Sequence, residues 1–429
     1  MRGAGHEALL AGGCVRDLLL GREPKDYDVA TSALPDAVEA LFARTVPVGK
    51  SFGVIRVLDD DDNIAVEVAT FRHDGPYLDG RHPSAVTFTD ARQDAARRDF
   101  TINAMFLDPE AGQVIDHHGG QADLKRGVIR AVGEPRARFE EDKLRLLRAV
   151  RFAAGLGFDI EPATWAALCD MAPQVAVCSG ERIRDELSKM ITNVGAARGL
   201  RLMQRSGLMQ AILPEVAVME ATPQSPEHHP EGDVFTHTLL GMDVMFKPAT
   251  VTLALGVLFH DIAKPPTMRH EGERITFHGH DKLGGEMAVK VMQRLRYPGE
   301  VMERVKSLID DHLKFINVPK MKTATLKRLL RKPHFDEDLE LHRIDCLAGP
   351  NRLGTYHLVK QRLAEFERQG AERALRPKVP IDGRDLIAMG LQPGPKFKEL
   401  LHALEDEMLE GRVSTRDEAV AFVKSQAGL

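Results

Sequence analysis

A diglycine turn followed closely by two aspartates constrains this chain more than any other feature. Residues 12–17 read GGCVRD and residues 25–31 read KDYDVAT. Successive side chains of a strand point to opposite faces, so an extended segment there would aim the carboxylates of Asp26 and Asp28 at one point. Hard carboxylate oxygens suit Mg²⁺, and phosphoryl or nucleotidyl transfer uses two metal ions ~3.5–4 Å apart. The pair therefore predicts two-metal nucleotide chemistry.

The diglycine turn predicts a place where phosphate binds. Gly12 and Gly13 let the backbone turn tightly and present N–H groups to phosphate oxygens, and Arg16 adds a fixed positive charge. Alone, an Asp-x-Asp pair is more often a solvated turn, and a Gly-Gly pair is usually only a turn. The order and spacing of the two together favour a nucleotide site.

Length and composition restrict the class of protein. For 429 residues, of which 43% are apolar, we expect two to four domains with filled cores and no large-scale disorder. The net charge of −5 excludes a globally basic coat for nucleic acid. RNA binding therefore has to come from a local basic patch.

Cysteine usage and hydropathy predict a cytoplasmic protein with no membrane partner. The four cysteines include no Cys-x-x-Cys pair, which is typical of free thiols in a reducing compartment and excludes a zinc ribbon. The longest apolar run, residues 249–259, is much shorter than the ~20 residues that cross a bilayer. The N-terminus does not read as a signal peptide.

The residue pattern predicts an α+β chain whose strands are concentrated in residues 1–132. That region alternates short β-rich runs with helices after Gly13 and Pro35. Its strands are predicted at residues 7–10, through Asp28, at 53–58 and at 64–71, with a solvated hairpin turn at 59–63.

The rest of the chain is predicted to be mostly helical. From about residue 136 apolar positions follow helical spacing, and the parts are predicted at residues 133–222, 223–375 and 376–429. The proline-rich stretch 222–230 reads as a solvated linker that contains His228 and His229.

Residues 97–104 (RRDFTINA) read as the start of a helix. Asp99 and Asn103 would then lie one turn apart on the same face, beside Arg97 and Arg98. Such a face suits a ribose and a triphosphate. The alternative is a capped surface helix with ordinary charges.

Residues 141–145 (EDKLR) place Asp142 and Arg145 at positions i and i+3 of a predicted helix. The Watson–Crick edges of cytosine and adenine both carry an amine donor beside a ring-nitrogen acceptor, which matches a carboxylate beside a guanidinium. Uracil and guanine would leave buried polar groups unpaired, at ~1–3 kcal/mol each. The alternative is a surface ion pair worth ~0.2–0.5 kcal/mol.

Four motifs in this order resemble the class II tRNA nucleotidyltransferase family, which comprises CCA-adding enzymes and bacterial poly(A) polymerases. The resemblance covers residues 1 to about 195, and its motifs are residues 12–28, 97–104, 141–145 and 181–187. It implies an α+β fold: a nucleotidyltransferase head with a mixed β-sheet, then an all-α neck, body and tail. The last motif resembles the one that buttresses the neck.

The resemblance also implies roles for individual residues. Asp26 and Asp28 match the catalytic metal-binding aspartates, and Glu67 is a candidate third catalytic carboxylate. The implied nucleotide-binding residues are Gly12, Gly13, Arg16, Arg97, Arg98, Asp99, Asn103, Asp142, Arg145 and Arg148. Residues 72–81 are similar to the flexible loop with which family members switch from C to A addition, which argues against an enzyme that adds only C.

A concentration of histidines in the third part predicts a second site. His260 and Asp261 end an apolar helix, where buried polar groups need a reason, and such a pair can supply N and O ligands to one metal. The order His, His-Asp, His, His, Asp resembles the HD phosphohydrolase superfamily. The implied metal ligands are His237, His260, Asp261 and Asp345, with Lys264, His280 and His312 for a second metal or a phosphate, and with His278 as a possible bystander.

Together these features predict a CCA-adding enzyme that joins CTP and ATP to the 3′ hydroxyl of tRNA, with Mg²⁺ in the head. The HD region is predicted to hold a transition metal such as Mn²⁺, Ni²⁺ or Fe²⁺ and to trim phosphates from RNA 3′ ends. The alternatives are a poly(A) polymerase of the same family, an A-adding partner enzyme, a hydrolase whose head only binds RNA, and a structural RNA-binding protein. We expect a monomer or a homodimer.

Overall fold

The chain divides into two compact units in the computed structural model. The structure describes residues 1–59, 65–75, 85–272, 274–368, 375 and 379–429. Unit 1 comprises Met1–Ala221, Met245–Ala254 and Val289–Met302, and unit 2 comprises Thr222–Val244, Leu255–Ala288 and Glu303–Leu429. The division into four parts stays a prediction, and residues 376–378 at its last boundary lie outside the described residues.

Unit 1 contains a seven-stranded mixed sheet. Its strand order is β3-β4-β5-β2-β1-β8-β9, in which β2 and β5 are parallel and all other neighbours are antiparallel. The mixed sheet predicted for the head is therefore confirmed. The strands of the chain are β1 (Ala8–Ala11), β2 (Asp28–Thr31), β3 (Thr45–Gly49), β4 (Val54–Leu58), β5 (Ala65–Thr70), β6 (Arg72–Asp74), β7 (Val86–Phe88), β8 (Met105–Leu107), β9 (Val114–Asp116), β10 (Val128–Ile129), β11 (Asp159–Ile160), β12 (Arg269–Glu271) and β13 (Arg274–Thr276).

Helices make up most of the remainder, which confirms the α+β class. None of the described helices is long and apolar enough to span a membrane. The helices are α1 (Gly13–Leu19), α2 (Pro35–Leu41), α3 (Ala91–Ala96), α4 (Gly120–Arg126), α5 (Pro135–Glu141), α6 (Leu144–Leu156), α7 (Pro162–Met171), α8 (Gly180–Ile191), α9 (Ala196–Ser206), α10 (Leu208–Ile212), α11 (Pro214–Ala217), α12 (Val234–Val244), α13 (Val251–Phe259), α14 (Lys264–Thr267), α15 (His280–Arg294), α16 (Gly299–Asp311), α17 (Thr323–Leu330), α18 (Phe335–Ala348), α19 (Gly354–Arg368), α20 (Gly383–Ala388), α21 (Pro395–Leu409) and α22 (Arg416–Ala427).

The sheet of unit 1 buries apolar residues on both faces, because successive side chains of each strand alternate in direction. One cluster contains Leu9, Ala30, Phe71 and Phe106, with the last two rings edge to face at 5.8 Å. A second cluster contains residues of β4, β5 and α2, namely Ile55, Val68 and Val38. Asp28 has the same strand parity as Ala30, so it stands on the first face, at the start of β2.

Local sequence explains where α5 begins, and a short break separates this helix from α6. Pro135 occupies the first turn of α5, where a missing N–H costs nothing, and the Glu134 carboxylate accepts a hydrogen bond from Ala137 N at 2.6 Å. The helix ends at Glu141 and α6 begins at Leu144. Asp142 therefore lies in the link between two helices.

The structure contains strands that the sequence-based prediction missed, namely β3, the short strands β6 to β11, and the hairpin β12–β13. β3 was missed: its run TVPVG is mostly exposed at the sheet edge and contains a proline, so it has no strong alternation. The hairpin β12–β13 was missed within the region predicted to be helical, because its strands are three residues each and mostly polar. The predicted turn at 59–63 and most of the predicted loop at 72–81 lie outside the described residues.

Candidate active sites

Three carboxylates, Asp26, Asp28 and Glu67, interact electrostatically around the start of β2. Asp28 is in parallel register with Glu67 on β5, and Asp26 precedes the strand and is exposed. The expectation that Asp26 and Asp28 share a strand face is wrong, because β2 begins only at Asp28. Burial raises the pKa of Asp28, the negative charges of Glu67 and Asp26 raise it further, and Arg98 opposes them. Such mutual repulsion is relieved by a bound cation, so these residues fit a divalent metal.

Glu67 also has a protein partner. Its Oε1 lies 2.8 Å from Arg56 Nη2, and about half of the Glu67 side chain is exposed. In this structure Glu67 is therefore shared between the carboxylate cluster and an ion pair on the neighbouring strand β4.

Gly12 is required by the geometry of the turn before α1. Its φ is +73°, and a Cβ there would lie 2.7 Å from Arg98 Nη1. Gly13 begins α1, and the first turn of a helix presents N–H groups that suit an anion. The turn therefore brings backbone donors and the Arg98 guanidinium together, as the diglycine pattern predicted.

A chain of hydrogen bonds joins the next four predicted residues. Arg16 Nη1 donates to Asn103 Oδ1 at 2.8 Å, and Asn103 Nδ2 donates to Asp99 Oδ1 at 3.1 Å. Arg148 donates to Asp99 Oδ2 from Nε at 2.9 Å and from Nη2 at 2.6 Å. Burial opposes ionisation of Asp99, but the Arg148 charge and the Asn103 hydrogen bond outweigh it and lower its pKa to about 2.

The predicted helix start at residues 97–104 is wrong. Helix α3 ends at Ala96, and a single 3₁₀ turn covers Thr101–Asn103. The side chains of Asp99 and Asn103 still meet because this turn folds one towards the other. Sequence reasoning missed Asp94, which is 1% exposed and fixes both predicted arginines: it accepts from Arg97 Nη2 at 2.7 Å and from Arg98 Nη2 at 3.0 Å.

Asp142 and Arg145 are not an i, i+3 pair of one helix, so that expectation is wrong. Asp142 Oδ2 accepts from Arg182 Nη2 at 2.7 Å, which places a residue of α8 behind the carboxylate. Arg145 donates through Nη1 to Glu141 Oε2 at 2.5 Å and through Nη2 to the Arg97 carbonyl at 3.0 Å. Each side chain is thus fixed by its own partner.

Helix α8 also holds the arginines of α6. Glu186 is 4% exposed and accepts from Arg151 Nε at 2.5 Å, and its other oxygen is 3.4 Å from Arg148 Nη1. The guanidinium carbons of Arg16, Arg148 and Arg151 lie 5.2, 5.2 and 4.1 Å from the centre of the Phe152 ring. Phe152 was missed because a lone aromatic residue on a helix reads as core.

A cavity of about 530 Å³ is lined by all ten predicted nucleotide-binding residues. It is lined by Gly12, Gly13, Arg16, Asp28, Arg97, Arg98, Asp99, Asn103, Asp142, Arg145 and Arg148, together with Leu144, Phe152 and Arg182. Six arginines and three aspartates among these residues make it suited to a polyanion. A second cavity of about 540 Å³ contains Asp26 and shares Asp28 with the first.

Unit 2 brings the predicted histidines and aspartates into one buried cluster. His237 Nε2 lies 3.0 Å and His260 Nε2 3.9 Å from the same oxygen of Asp345. Three groups of three possible ligands have their ligand atoms within 4.8 Å of one another. One is His229, Glu231 and His237, and the other two consist of six predicted residues: His237, His260 and Asp345, and Asp261, His280 and His312. The six residues fit the ligand types of a transition-metal site.

Three of these histidines are oriented by backbone carbonyls. The Nδ1 atoms of His260, His280 and His312 lie 2.9, 2.7 and 2.6 Å from the carbonyl oxygens three residues before them. With the proton on Nδ1, each Nε2 carries a lone pair. His280 Nε2 and His312 Nε2 then face each other at 3.3 Å, and buried His260 Nε2 makes no hydrogen bond to the described residues. Such lone pairs need a cation between them, which supports a metal here.

The remaining predicted residues of unit 2 have mixed positions. Lys264 is buried, and its Nζ lies 2.7 Å from Asp261 Oδ2 and 2.6 Å from Gln224 Oε1, so it neutralises Asp261 in this structure. The His278 side chain is 77% exposed, as suits a bystander. The solvated-linker interpretation is wrong for His229, which is partly buried and packs edge to face on His237 at 4.9 Å.

The pKa values of two histidines in this cluster shift in opposite directions. Burial disfavours the protonated form of His237, but hydrogen bonds to Asp345 and Glu231 outweigh it and raise its pKa to about 9. Burial lowers the pKa of His312 to about 4. Sequence reasoning missed Glu231, since a glutamate beside a proline-rich stretch gives no signal of burial.

Family models match three consecutive regions of the chain. The Poly A polymerase head domain matches residues 8–130, the probable RNA and SrmB-binding site of polymerase A matches residues 157–219, and the HD domain matches residues 234–348. These regions coincide with the sheet, with the helices that follow it, and with the histidine cluster.

Some curated relatives match about half of this chain, and others match nearly all of it. A CCA-adding enzyme of Geobacillus stearothermophilus is 46% identical over 217 residues, which is 50% of this chain and 53% of that protein. The chain therefore spans about half the length of the CCA-adding relatives that it matches at this level. An A-adding tRNA nucleotidyltransferase of Deinococcus radiodurans is 33% identical, over 98% of this chain and 95% of that protein. For a CC-adding tRNA nucleotidyltransferase of Thermus thermophilus the values are 32%, 97% and 93%.

A solved structure has the same fold over the whole chain. It is the CCA-adding enzyme of Bacillus stearothermophilus in complex with CTP, with a TM-score of 0.76 and 29% identity, covering 100% of this chain and 95% of that one. The chain therefore belongs to the tRNA nucleotidyltransferase and poly(A) polymerase family and carries an HD domain.

Proposed function

We propose that the chain is a CCA-adding enzyme, which joins C, C and A to the 3′ ends of tRNA from CTP and ATP. The observation that carries this proposal is the 530 Å³ cavity, because the glycine turn, six arginines, Asp142 and Asp28 all line it. Similarity to a CCA-adding enzyme with bound CTP supports the choice of substrate.

Asp26 and Asp28, with Glu67 as a third carboxylate, hold Mg²⁺ in this proposal. When bound, the metal ions lower the pKa of the attacking 3′ hydroxyl and neutralise charge on the leaving pyrophosphate. The backbone N–H groups at the start of α1 and the guanidinium of Arg16 orient the triphosphate. Asp99 and Asn103 hold the ribose edge of the nucleotide, and their hydrogen-bond chain to Arg148 fixes them in advance.

Base selection in the proposal belongs to Asp142 and Arg145. The Asp142 oxygen that accepts from Arg182 retains a second lone pair, so it can accept an exocyclic amine without losing Arg182. A guanidinium has five N–H groups, and the described contacts of Arg145 use three of them. The remaining donors bind the ring nitrogen of cytosine or adenine. Uracil and guanine present a carbonyl beside a ring N–H, which does not match the carboxylate of Asp142 and the donors of Arg145.

Product length distinguishes this proposal from its rivals within the family. The assay incubates the protein with tRNA that lacks its terminal CCA, or with tRNA that ends in CC, and supplies CTP alone, ATP alone, or both. A CCA-adding enzyme extends by two residues with CTP and by three with both nucleotides. A CC-adding enzyme stops after two residues even when both nucleotides are present. An A-adding enzyme extends only tRNA that already ends in CC. A poly(A) polymerase makes a long tail from ATP alone.

We propose a second function, metal-dependent phosphohydrolysis in unit 2, that acts on 2′-, 3′- or cyclic phosphates at RNA 3′ ends. The facing Nε2 atoms of His280 and His312 and the orphaned Nε2 of His260 favour it. Imidazole ligands favour Ni²⁺ or Fe²⁺ over Mg²⁺, and the carboxylates of Asp261 and Asp345 also suit Mn²⁺. The test measures phosphate release from RNA ending in each phosphate with each metal. Absence of release with every metal would leave the cluster as a scaffold without turnover.

The proposal includes a cellular setting. Because tRNA, CTP and ATP are cytoplasmic substrates, we expect the protein to act in the cytoplasm. We also expect it to be a monomer or a homodimer. Fractionation of cells and light scattering of the purified protein test these two expectations.

A further inference from the structure

A carboxylate outside the predicted ligand set contacts the first histidine of the cluster in unit 2. Glu231 Oε1 lies 2.6 Å from His237 Nδ1 and 2.8 Å from His229 Nδ1. The side chains of Glu231 and His237 are 7% and 1% exposed. A carboxylate held this far from water between two imidazole N–H groups is a built arrangement rather than a surface pair.

The position of Glu231 determines which nitrogen of His237 faces the metal site. A neutral imidazole has one N–H, and a carboxylate at Nδ1 keeps that proton there. In neutral His237 the lone pair is then on Nε2, the atom that lies 3.0 Å from Asp345 Oδ1, and that oxygen also lies 3.9 Å from His260 Nε2. His260, His280 and His312 have backbone carbonyls in the corresponding place, so His237 differs in having a charged acceptor.

We infer that Glu231 is a positioning residue of the metal site in unit 2: it orients His237 and strengthens its Nε2 as a ligand, while His229 holds Glu231 in place. The inference rests on the metal site proposed above. Partners of this kind that lie behind a ligating histidine typically contribute about 10- to 100-fold to metal affinity. Glu231 is assigned to this outer position because Oε1, its atom nearest His237, is already occupied by two imidazole nitrogens.

The test titrates the full-length protein with Co²⁺ and follows the visible absorption of imidazole-bound Co²⁺. This signal reports unit 2, since the head offers carboxylates. Glu231→Ala is expected to weaken Co²⁺ binding by about 10- to 100-fold. Glu231→Gln keeps the hydrogen-bond acceptor without its charge, so it is expected to lose less and to retain the fold. The matched control is Glu227→Gln, an exposed glutamate of the same segment, with wild-type affinity.

Four outcomes would overturn the inference in distinguishable ways. Wild-type protein that binds no Co²⁺ removes the metal site itself and the inference with it. Equal affinity of wild type and both Glu231 variants leaves the site and refutes the role of Glu231. Equal losses in Glu231→Gln and Glu227→Gln indicate a general effect of charge. Loss of one whole Co²⁺ ion per chain in Glu231→Gln, with unchanged affinity for the rest, makes Glu231 a direct ligand.

Discussion

Replacement of Asp99 by asparagine tests the electrostatic organisation of the nucleotide cavity. Asp99 is 8% exposed, and Arg148 donates two hydrogen bonds to its Oδ2. Its pKa falls from 3.8 to about 2 in the folded protein. At ~1.4 kcal/mol per pKa unit, the ionised carboxylate contributes about 2 kcal/mol to folding. Asp99→Asn should lose this contribution, because its amide would place a donor against the Arg148 guanidinium.

The pH dependence of this loss has a defined sign. The folded pKa of Asp99 is lower than the unfolded value, so its stabilising contribution is complete well above the unfolded pKa. It disappears as the pH falls from about 4 towards about 2. The difference between wild type and Asp99→Asn should therefore stay constant between about pH 5 and 7 and shrink only at lower pH.

Urea unfolding measures the difference in the free energy of unfolding of unit 1 between wild type and Asp99→Asn. Trp165 is the only tryptophan of the chain and lies in α7, so its fluorescence reports the unfolding of unit 1. The control is Asp159→Asn, whose side chain is 90% exposed and pairs with Arg198, at a cost below ~1 kcal/mol. Equal losses in the two variants, or a loss that changes between pH 5 and 7, would refute the account of Asp99.

Three further predictions concern other parts of the chain. Gly120→Ala would place a Cβ 2.2 Å from the Thr101 carbonyl oxygen, so it should lower the stability of unit 1 by about 2 kcal/mol. A Cβ at Gly155 would have no atom within 4 Å, so Gly155→Ala should instead stabilise α6 by up to about 1 kcal/mol. Urea unfolding followed by Trp165 fluorescence measures both changes. Arg182→Met removes a charge-assisted hydrogen bond from Asp142, so kcat/KM should fall about tenfold for CTP and ATP alike in extension assays, and a loss for one nucleotide alone would contradict this. His260→Ala should abolish transition-metal binding, measured by metal analysis, while tRNA extension persists in the extension assay. Retained metal or lost extension would contradict this prediction.

The sequence predicted the composition of the site better than its geometry. The glycine turn, the Arg97–Asn103 motif and the Asp142–Arg145 motif do line one cavity, because motif identity carries information about function. The predicted conformations of the second and third motifs were wrong, because helices end at Ala96 and Glu141 and the spacing of residues in one sequence does not show where a helix ends.

The side chains that fix the predicted site residues were not identified from the sequence. Asp94 and Glu231 resemble ordinary surface charges there, and the motif at residues 181–187 contains Arg182 and Glu186 but does not show that they contact Asp142 and Arg148. Only the fold makes them buried partners. For the sheet, β1, β2, β4 and β5 were predicted from short β-rich runs, whereas three strands were missed: β3, which is mostly exposed, and β8 and β9, which are three residues each.

The central claim is that the carboxylates at the start of β2 perform nucleotidyl transfer to RNA, and Asp28→Asn tests it most directly. The measurement is the rate of the first C addition to tRNA lacking CCA, at saturating Mg²⁺ and CTP. The account predicts a rate about a thousandfold below wild type, because metal charge stabilisation of several kcal/mol is lost, with an unchanged urea midpoint from Trp165 fluorescence. The control Asp36→Asn, an exposed carboxylate on α2, should retain the wild-type rate. Extension by Asp28→Asn at the wild-type rate would contradict the account.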